Sequence, residues 1–256
     1  MKTRIHVNQH NIRANAKGAD LPVLTVKTYK ENVKCNRISL RGVIMAVELL
    51  HMDCMEYMKG LEDNAFELAI VDPPYGIGNW IPQNLSPKQK EISRPVDWNE
   101  SPPEDNYFNE MKRVSKTQIV WGANYYNCFA SLGGAIVWDK GDGNPVFSRC
   151  EIASISSQKR VDYVHINWQA GFYRKQFGDQ IHPCQKPVKL YEWLLKNYAK
   201  EGDRILDTHL GSGSSAIAAH YGGFDFVGME LDEDYYKDAR ARFDLETSQQ
   251  AFDLAN

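Results

Sequence analysis

The sequence predicts an α/β fold: an open, mostly parallel sheet, circularly permuted so that its nucleotide-binding unit comes near the C-terminus, with a small β-rich N-terminal extension. Three observations predict it. Apolar runs such as Leu68-Ala69-Ile70-Val71 lack polar alternation, as strands buried on both faces do. Segments of helical periodicity lie between such runs. A strand, glycine turn, helix and strand unit from Arg204 to Glu230 comes so late that earlier strands must complete its sheet.

The totals leave room for this fold. A chain of 256 residues can bury a sizeable core as one α/β domain with additions. Hydrophobic residues at 43% and charged residues at 25% are ordinary for a soluble globular protein. No apolar run approaches the roughly 18 residues of a membrane span. The start, Met1-Lys2-Thr3-Arg4-Ile5-His6, lacks a signal peptide's apolar core, so a cytoplasmic protein with no membrane partner is expected. The 5 cysteines are scattered and form no C-x-x-C pair, so they read as reduced thiols and no metal site is expected. The formal net charge of -3 does not advertise a nucleic-acid partner, but residues 1–44 are basic and the C-terminal part acidic. That asymmetry hints at nucleic-acid contact, and a solvated basic tail explains it about as well.

Taken in order, residues 1–44 alternate weakly around Ile5, Val7, Leu21 to Val26, Ile38 and Leu40, and form the extension. Residues 45–256 form the main domain, opened by the strand Met45 to Leu50. A helical segment from about Cys54 to Leu61 carries Met55, Met58 and Leu61 on one face and leads to the Leu68 strand. Strand, helix and strand make a parallel crossover, which puts Asp53 and Asp72 at one edge of the sheet. Asp53 can there be a helix cap, a ligand contact, or both. Asn79 to Asn106 is too long for a simple link and is expected to face substrate, with a plain surface loop as the alternative. A helix over 107–113, strands over 118–121 and 134–138, and a further strand candidate around 150–156 follow. Residues 157–181 mix Trp168, Phe172, Tyr173 and Phe177 with Lys159, Arg160, Arg174 and Lys175. That mixture suits stacking and phosphate contact, or equally a partly buried irregular segment.

Asp72-Pro73-Pro74-Tyr75 should sit just past a strand's carboxyl end, because two prolines forbid continuation of the strand. Both prolines fix φ, and Asp72 is biased to extended backbone, so the rim is stiff. A planar group with an exocyclic NH2 suits it. Asp72 and the Pro73 carbonyl can each accept one amino hydrogen while the Tyr75 ring stacks on the heterocycle. The plain alternative is a turn with a capping aspartate.

Near the C-terminus, Pro187 fits the first turn of a helix through Leu190, Leu194 and Tyr198. The strand Arg204 to Asp207, the turn Thr208 to Gly213, a helix from Ser214 to His220 and the strand Phe224 to Met229 then end at Glu230. Glycines stand where backbone must approach a ligand, and an acid follows at the next strand's end: a nucleotide site. Gly211-Ser212-Gly213-x-x-Ala216 with Glu230 also fits a nicotinamide dinucleotide fingerprint. A dehydrogenase's fingerprint usually opens its nucleotide domain, however, and here one strand and one helix remain after it.

Asp72 to Tyr75 resembles the DPPY motif of DNA amino-methyltransferases. His182-Pro183-Cys184-Gln185-Lys186-Pro187 resembles the HPxQKP motif of the beta class, and Asp207 to Ser214 resembles its D-x-F-x-G-S-G loop, in the family's order over roughly residues 45–245. The resemblance implies a Rossmann-like, S-adenosylmethionine-dependent methyltransferase fold and a phage or restriction-modification setting. It implies that Asp72, Pro73, Pro74 and Tyr75 hold a flipped base whose amine takes the methyl of S-adenosylmethionine. It further implies that Asp207, Gly211, Ser212 and Gly213 line the cofactor, that Glu230 holds its ribose, that Lys186 lies near its carboxylate and that Asp53 meets its adenine. His209 stands where the family usually has Phe, and its role stays open. Asp in place of Ser at position 72 resembles the adenine-N6 branch, with cytosine-N4 as the alternative. A nicotinamide oxidoreductase and a catalytically silent DNA-binding protein are the remaining readings. The interval the family uses for target recognition, about Gln158 to Ile181, is short. DNA is the expected partner, with recognition shared by the 79–106 loop, the basic extension or a second copy in a homodimer.

Overall fold

A computed structural model describes residues 36–40, 43–78, 99–126, 133–141, 148–168 and 180–253. The expectations for residues 1–35, for most of the 79–106 loop and for the aromatic and basic residues at 172–177 lie outside them.

The described elements run β1 (Asn36–Leu40), β2 (Val43–His51), α1 (Cys54–Lys59), β3 (Phe66–Val71), α2 (Asp105–Val114), β4 (Ser115–Trp121), β5 (Gly134–Asp139), β6 (Cys150–Ile155) and β7 (Val161–His165). After them come α3 (Val188–Tyr198), β8 (Arg204–Asp207), α4 (Ser214–Gly222), β9 (Asp225–Glu230) and α5 (Glu233–Asp253). One nine-stranded sheet has the order β1-β2-β9-β8-β3-β4-β6-β5-β7. The last two strands in sequence, β8 and β9, lie between the early strands β2 and β3. That is the circular permutation expected from the late glycine turn. β1 runs antiparallel to β2, and β6 antiparallel to both its neighbours, while the other pairings are parallel. The contiguous unit of this sheet spans Val33–Asn256, so β1, within the stretch read as an extension, joins it.

Strand β3 shows why its unbroken apolar run was needed. Leu68 and Ile70 pack into one core with α3, α4 and Phe243 of α5, whereas Ala69 and Val71 pack into another with Met58 of α1 and Tyr107, Phe108 and Met111 of α2. Both faces are covered, so both sets of alternate residues must be apolar. Each such Leu, Ile or Val contributes about 1.5–3 kcal/mol by leaving water. Helix α4 is buried all round, with Ala216, Ile217, Ala218 and Ala219 each at most 1% exposed. Small side chains there let α3 and α5 approach it closely.

Most sequence boundaries are recovered within a few residues, with β4 starting at Ser115 and α2 at Asp105. Strand β7 was not foreseen, because its pattern of Val161, Tyr163 and His165 exposed with only Val164 buried belongs to an edge and gives a weak apolar signal. Pro187 caps α3 from just outside its first turn.

Candidate active site

Register fixes where the candidate groups emerge. His51 pairs with Glu230, Asp207 with Gly228, Ala69 with Leu206 and Val71 with Val120. These strands are parallel, so Asp53, Glu230, Asp207 and Asp72 leave the sheet at one edge, the carboxyl one. Open α/β sheets bind ligands outside that edge.

The turn after β3 is pinned from three sides. Tyr126, buried beyond β4, donates its hydroxyl to the Pro73 carbonyl at 2.6 Å and the Pro74 carbonyl at 2.8 Å. The Asn99 Oδ1 accepts from the backbone N–H of Tyr75 at 3.0 Å and of Gly76 at 3.2 Å, and its Nδ2 donates to the Gly78 carbonyl at 2.8 Å. The Tyr75 ring lies against Gly122, whose φ is +71°; a Cβ there would stand 2.2 Å from Tyr75 Cε1. Glycine is therefore required at position 122 both for its backbone conformation and for the ring's room. The outer face of Tyr75 stacks on Tyr125, with centroids 4.8 Å apart and planes 15° apart. Tyr75 donates its hydroxyl to Asp72 Oδ1 at 2.7 Å.

Charge then gathers around Asp72. Lys186, its side chain 4% exposed, donates to Asp72 Oδ2 through a short contact and lies 3.2 Å from Glu151 Oε2. Lys140 in turn donates to Glu151 Oε1 at 2.9 Å. The Lys186 ammonium sits over the Trp121 ring at 5.5 Å and the Tyr75 ring at 5.9 Å. Burial works against the ammonium, yet Asp72 and Glu151 outweigh it and hold its pKa above the ordinary lysine value. Burial pushes Asp72 up, and Lys186 only partly pulls it back. Burial also opposes the Glu151 charge, but the two lysines beside it hold it below the usual carboxylate value.

The glycine turn is built on backbone. Gly211 and Gly213 both have positive φ, +53° and +75°, and Gly213 is the residue before the first turn of α4. The Gly211 N–H donates to Glu230 Oε2 at 2.9 Å and the Asp232 N–H to Glu230 Oε1 at 3.0 Å. Arg242 fastens the Ser212 carbonyl at 2.9 Å. Asp207 accepts from the His209 N–H at 3.0 Å and from the Ser215 hydroxyl at 2.6 Å, and burial pushes its pKa up to about 7. A turn with two positive-φ glycines, a fixed acid and a strand end suits a nucleotide-type ligand.

The other sequence candidates are placed as follows. Asp53 Oδ1 caps α1 through the Met55 N–H at 2.7 Å and the Glu56 N–H at 3.0 Å. His209 packs edge-on against Tyr107, with Thr208 Oγ1 at 2.9 Å from its Nδ1. Burial lowers its pKa to about 4. His182 accepts the Cys184 N–H at Nδ1, 3.2 Å away, and its pKa falls to about 3 through burial and the nearby Lys186. Neither ring is charged near neutral pH. Glu151, Lys140, Asn99, Tyr125 and Tyr126 were not singled out from sequence. Asn99 lies in the 79–106 loop expected to face substrate, whereas the others lie on strands and loops with no local signature. No group of three or more His, Cys, Asp or Glu able to hold a metal is present among the described residues.

Comparison with known proteins agrees with this geometry. A family model described as DNA methylase matches residues 137–241. Type II methyltransferase M2.DpnII of Streptococcus pneumoniae is 25% identical over 266 residues, covering 84% of this chain and 98% of that one. Type II methyltransferase M2.LlaDCHI of Lactococcus lactis subsp. cremoris is 23% identical over 238 residues, covering 76% and 88%. Among solved structures, M1.HpyAVI in complex with SAM superposes with a TM-score of 0.53 at 17% identity, covering 77% of this chain and 99% of that one. The cytosine-N4-specific PvuII DNA methyltransferase gives 0.52 at 15% identity, covering 77% and 86%. The matched segment and the relatives make this chain similar in sequence to DNA methyltransferases, and its structural neighbours share its fold.

Proposed function

We propose that this chain methylates the exocyclic N6 of adenine in DNA, using S-adenosylmethionine and a base flipped out of the duplex. The observation that carries the reading is the stiff rim at Asp72: a carboxylate, two carbonyls and a ring, held at the same sheet edge as the glycine turn. S-adenosylmethionine, when bound, supplies an electrophilic methyl on a sulfonium. Gly211, Ser212, Gly213 and Asp207 would line it, Glu230 would take its ribose hydroxyls, Asp53 its adenine and Lys186 the neighbourhood of its carboxylate. The fixed Glu230 carboxylate and the positive-φ glycines of the turn fit such a group.

At the other half, Asp72 and the Pro73 carbonyl accept the amine hydrogens and aim the nitrogen lone pair at the methyl, while Tyr75 and Pro74 bound the base. Positioning of this kind can lower a barrier by about 7–11 kcal/mol, and the transfer needs no base until the product nitrogen sheds a proton. Uncharged His182 and His209 are in keeping with that. DNA is the partner, and a second copy of the chain is the proposed source of further recognition surface. The 1–44 extension and 45–256 domain division is likewise part of the proposal, as is action in the cytoplasm. No described helix is long and apolar enough to cross a membrane.

The test is incubation with labelled S-adenosylmethionine and unmethylated DNA, followed by digestion and identification of the labelled nucleoside. N6-methyladenine is the expected product. N4-methylcytosine would keep the chemistry and overturn the base, and label absent from DNA despite bound cofactor would overturn the substrate.

A further inference from the structure

We propose that Glu151, on β6, is a positioning residue for the reaction at Asp72: its carboxylate divides the Lys186 ammonium with Asp72, keeping an Asp72 lone pair open to the substrate amine. The inference rests on the proposed function. Its ground is an alternating chain, Asp72, Lys186, Glu151, Lys140, that leads from the rim to the end of β5. Asp72 already accepts from Tyr75 at Oδ1 and from Lys186 at Oδ2. An ammonium shared by no second carboxylate would sit wholly on Asp72 and compete with the amine for the remaining lone pairs.

Glu151 Oε2 is buried and lies at ion-pair distance from Lys186 without hydrogen-bond alignment. It therefore acts on Lys186 by charge and does not seize it. Lys140, in line with Oε1, keeps Glu151 ionised and holds it in place. Removing one member of such a chain shifts the rest, because the local dielectric is low and the charges are few.

The groups facing Asp72 are Lys186 and Cys184 from the segment before α3, Glu151 from β6, Tyr75 from its own turn, Asp207 from β8 and Tyr191 from α3. Glu151 and Asp207 oppose ionisation of Asp72, and Lys186 favours it. Loss of the Glu151 charge must lower the Asp72 pKa, and loss of Lys140, which keeps Glu151 ionised, must lower it in part.

The test compares Glu151→Gln, Glu151→Asp and Lys140→Met with the unaltered chain. Titration of the Asp72 carboxyl by carbon NMR needs no turnover, so it reads this inference apart from the proposed function, on which the unaltered chain's own transfer reaction reports. In Glu151→Gln the Asp72 titration and the acid limb of kcat should both move to lower pH. The kcat itself should fall about 100-fold, the scale of a 1 Å misplacement, with cofactor Kd unchanged. Glu151→Asp should recover part of the rate, and Lys140→Met should move the titration the same way by a smaller amount. An Asp72 titration that stays put in both Glu151→Gln and Lys140→Met overturns the inference. So does a shifted titration with unchanged kcat.

Discussion

The two halves of the site are made by different means. The glycine turn is held by contacts between near neighbours in sequence: Gly211 to Glu230, His209 and Ser215 to Asp207, all within one strand, helix and strand unit. The Asp72 rim is held by side chains from far apart, with Lys186 reaching Asp72 across 114 residues and Tyr126 reaching Pro73 across 53. Backbone N–H groups and a fixed acid give shape and tolerate neutralisation well. A cluster of few, poorly hydrated charges depends on each member. The comparison teaches that damage to the first half should be graded and damage to the second abrupt.

The sharpest way to break that contrast is Asp72→Ala. Methyl transfer should fall by at least about 100-fold, the loss seen when one preorganised group is removed from a reacting centre, with cofactor affinity retained. Transfer surviving that change would sink the mechanism. Lys186→Met comes next: it leaves the largely buried Asp72 without its cationic partner and Glu151 with Lys140 alone, and denaturant unfolding should show a loss of about 3–5 kcal/mol.

The glycine half provides the smaller effects. Asp207 has its folded pKa raised to about 7 from an unfolded value near 3.9, so its contribution is fully present below about pH 4 and is lost as pH rises through 7. The unfolding free energy of the unaltered chain relative to Asp207→Asn should therefore decline between pH 4.5 and 7.5, by at most a few kcal/mol. A flat difference would place the carboxyl in a more polar setting than its burial indicates. Last, Glu230→Gln should weaken cofactor binding by calorimetry about tenfold, since hydrogen bonds to a charged group are worth about 1.5–3 kcal/mol, and should leave kcat at saturation nearly intact.

The same contrast explains what could be read from the sequence. The glycine turn and Glu230 were legible because strand, turn, helix and strand are contiguous and each glycine has a local reason. Asp72 to Tyr75 was legible as a rigid rim for the same cause. Lys186 was recognised only through its motif, and its partner Asp72 could not be inferred, because the pairing joins the segment before α3 to the end of β3 across 114 residues. Glu151 sits on a strand whose pattern is ordinary, and nothing nearby marks it as charged for a purpose. Tyr126 looks like any aromatic after a glycine turn until its hydroxyl is seen on two proline carbonyls. Of the two possibilities for Asp53, the helix cap is seen, made through Oδ1.

The interleaving of β8 and β9 between β2 and β3 also has a consequence for synthesis. As the chain emerges from the ribosome, β2 and β3 are made early, yet each lacks a sheet neighbour that is translated more than 130 residues later. Until then their apolar edges are unpaired, open to wrong partners and to chaperones. Contacts of such long sequence separation make for slow closure. The glycine-turn half, made last and from contiguous sequence, is the wedge whose arrival completes the sheet, so truncation from the C-terminal end should leave an aggregating remnant and not a smaller folded protein.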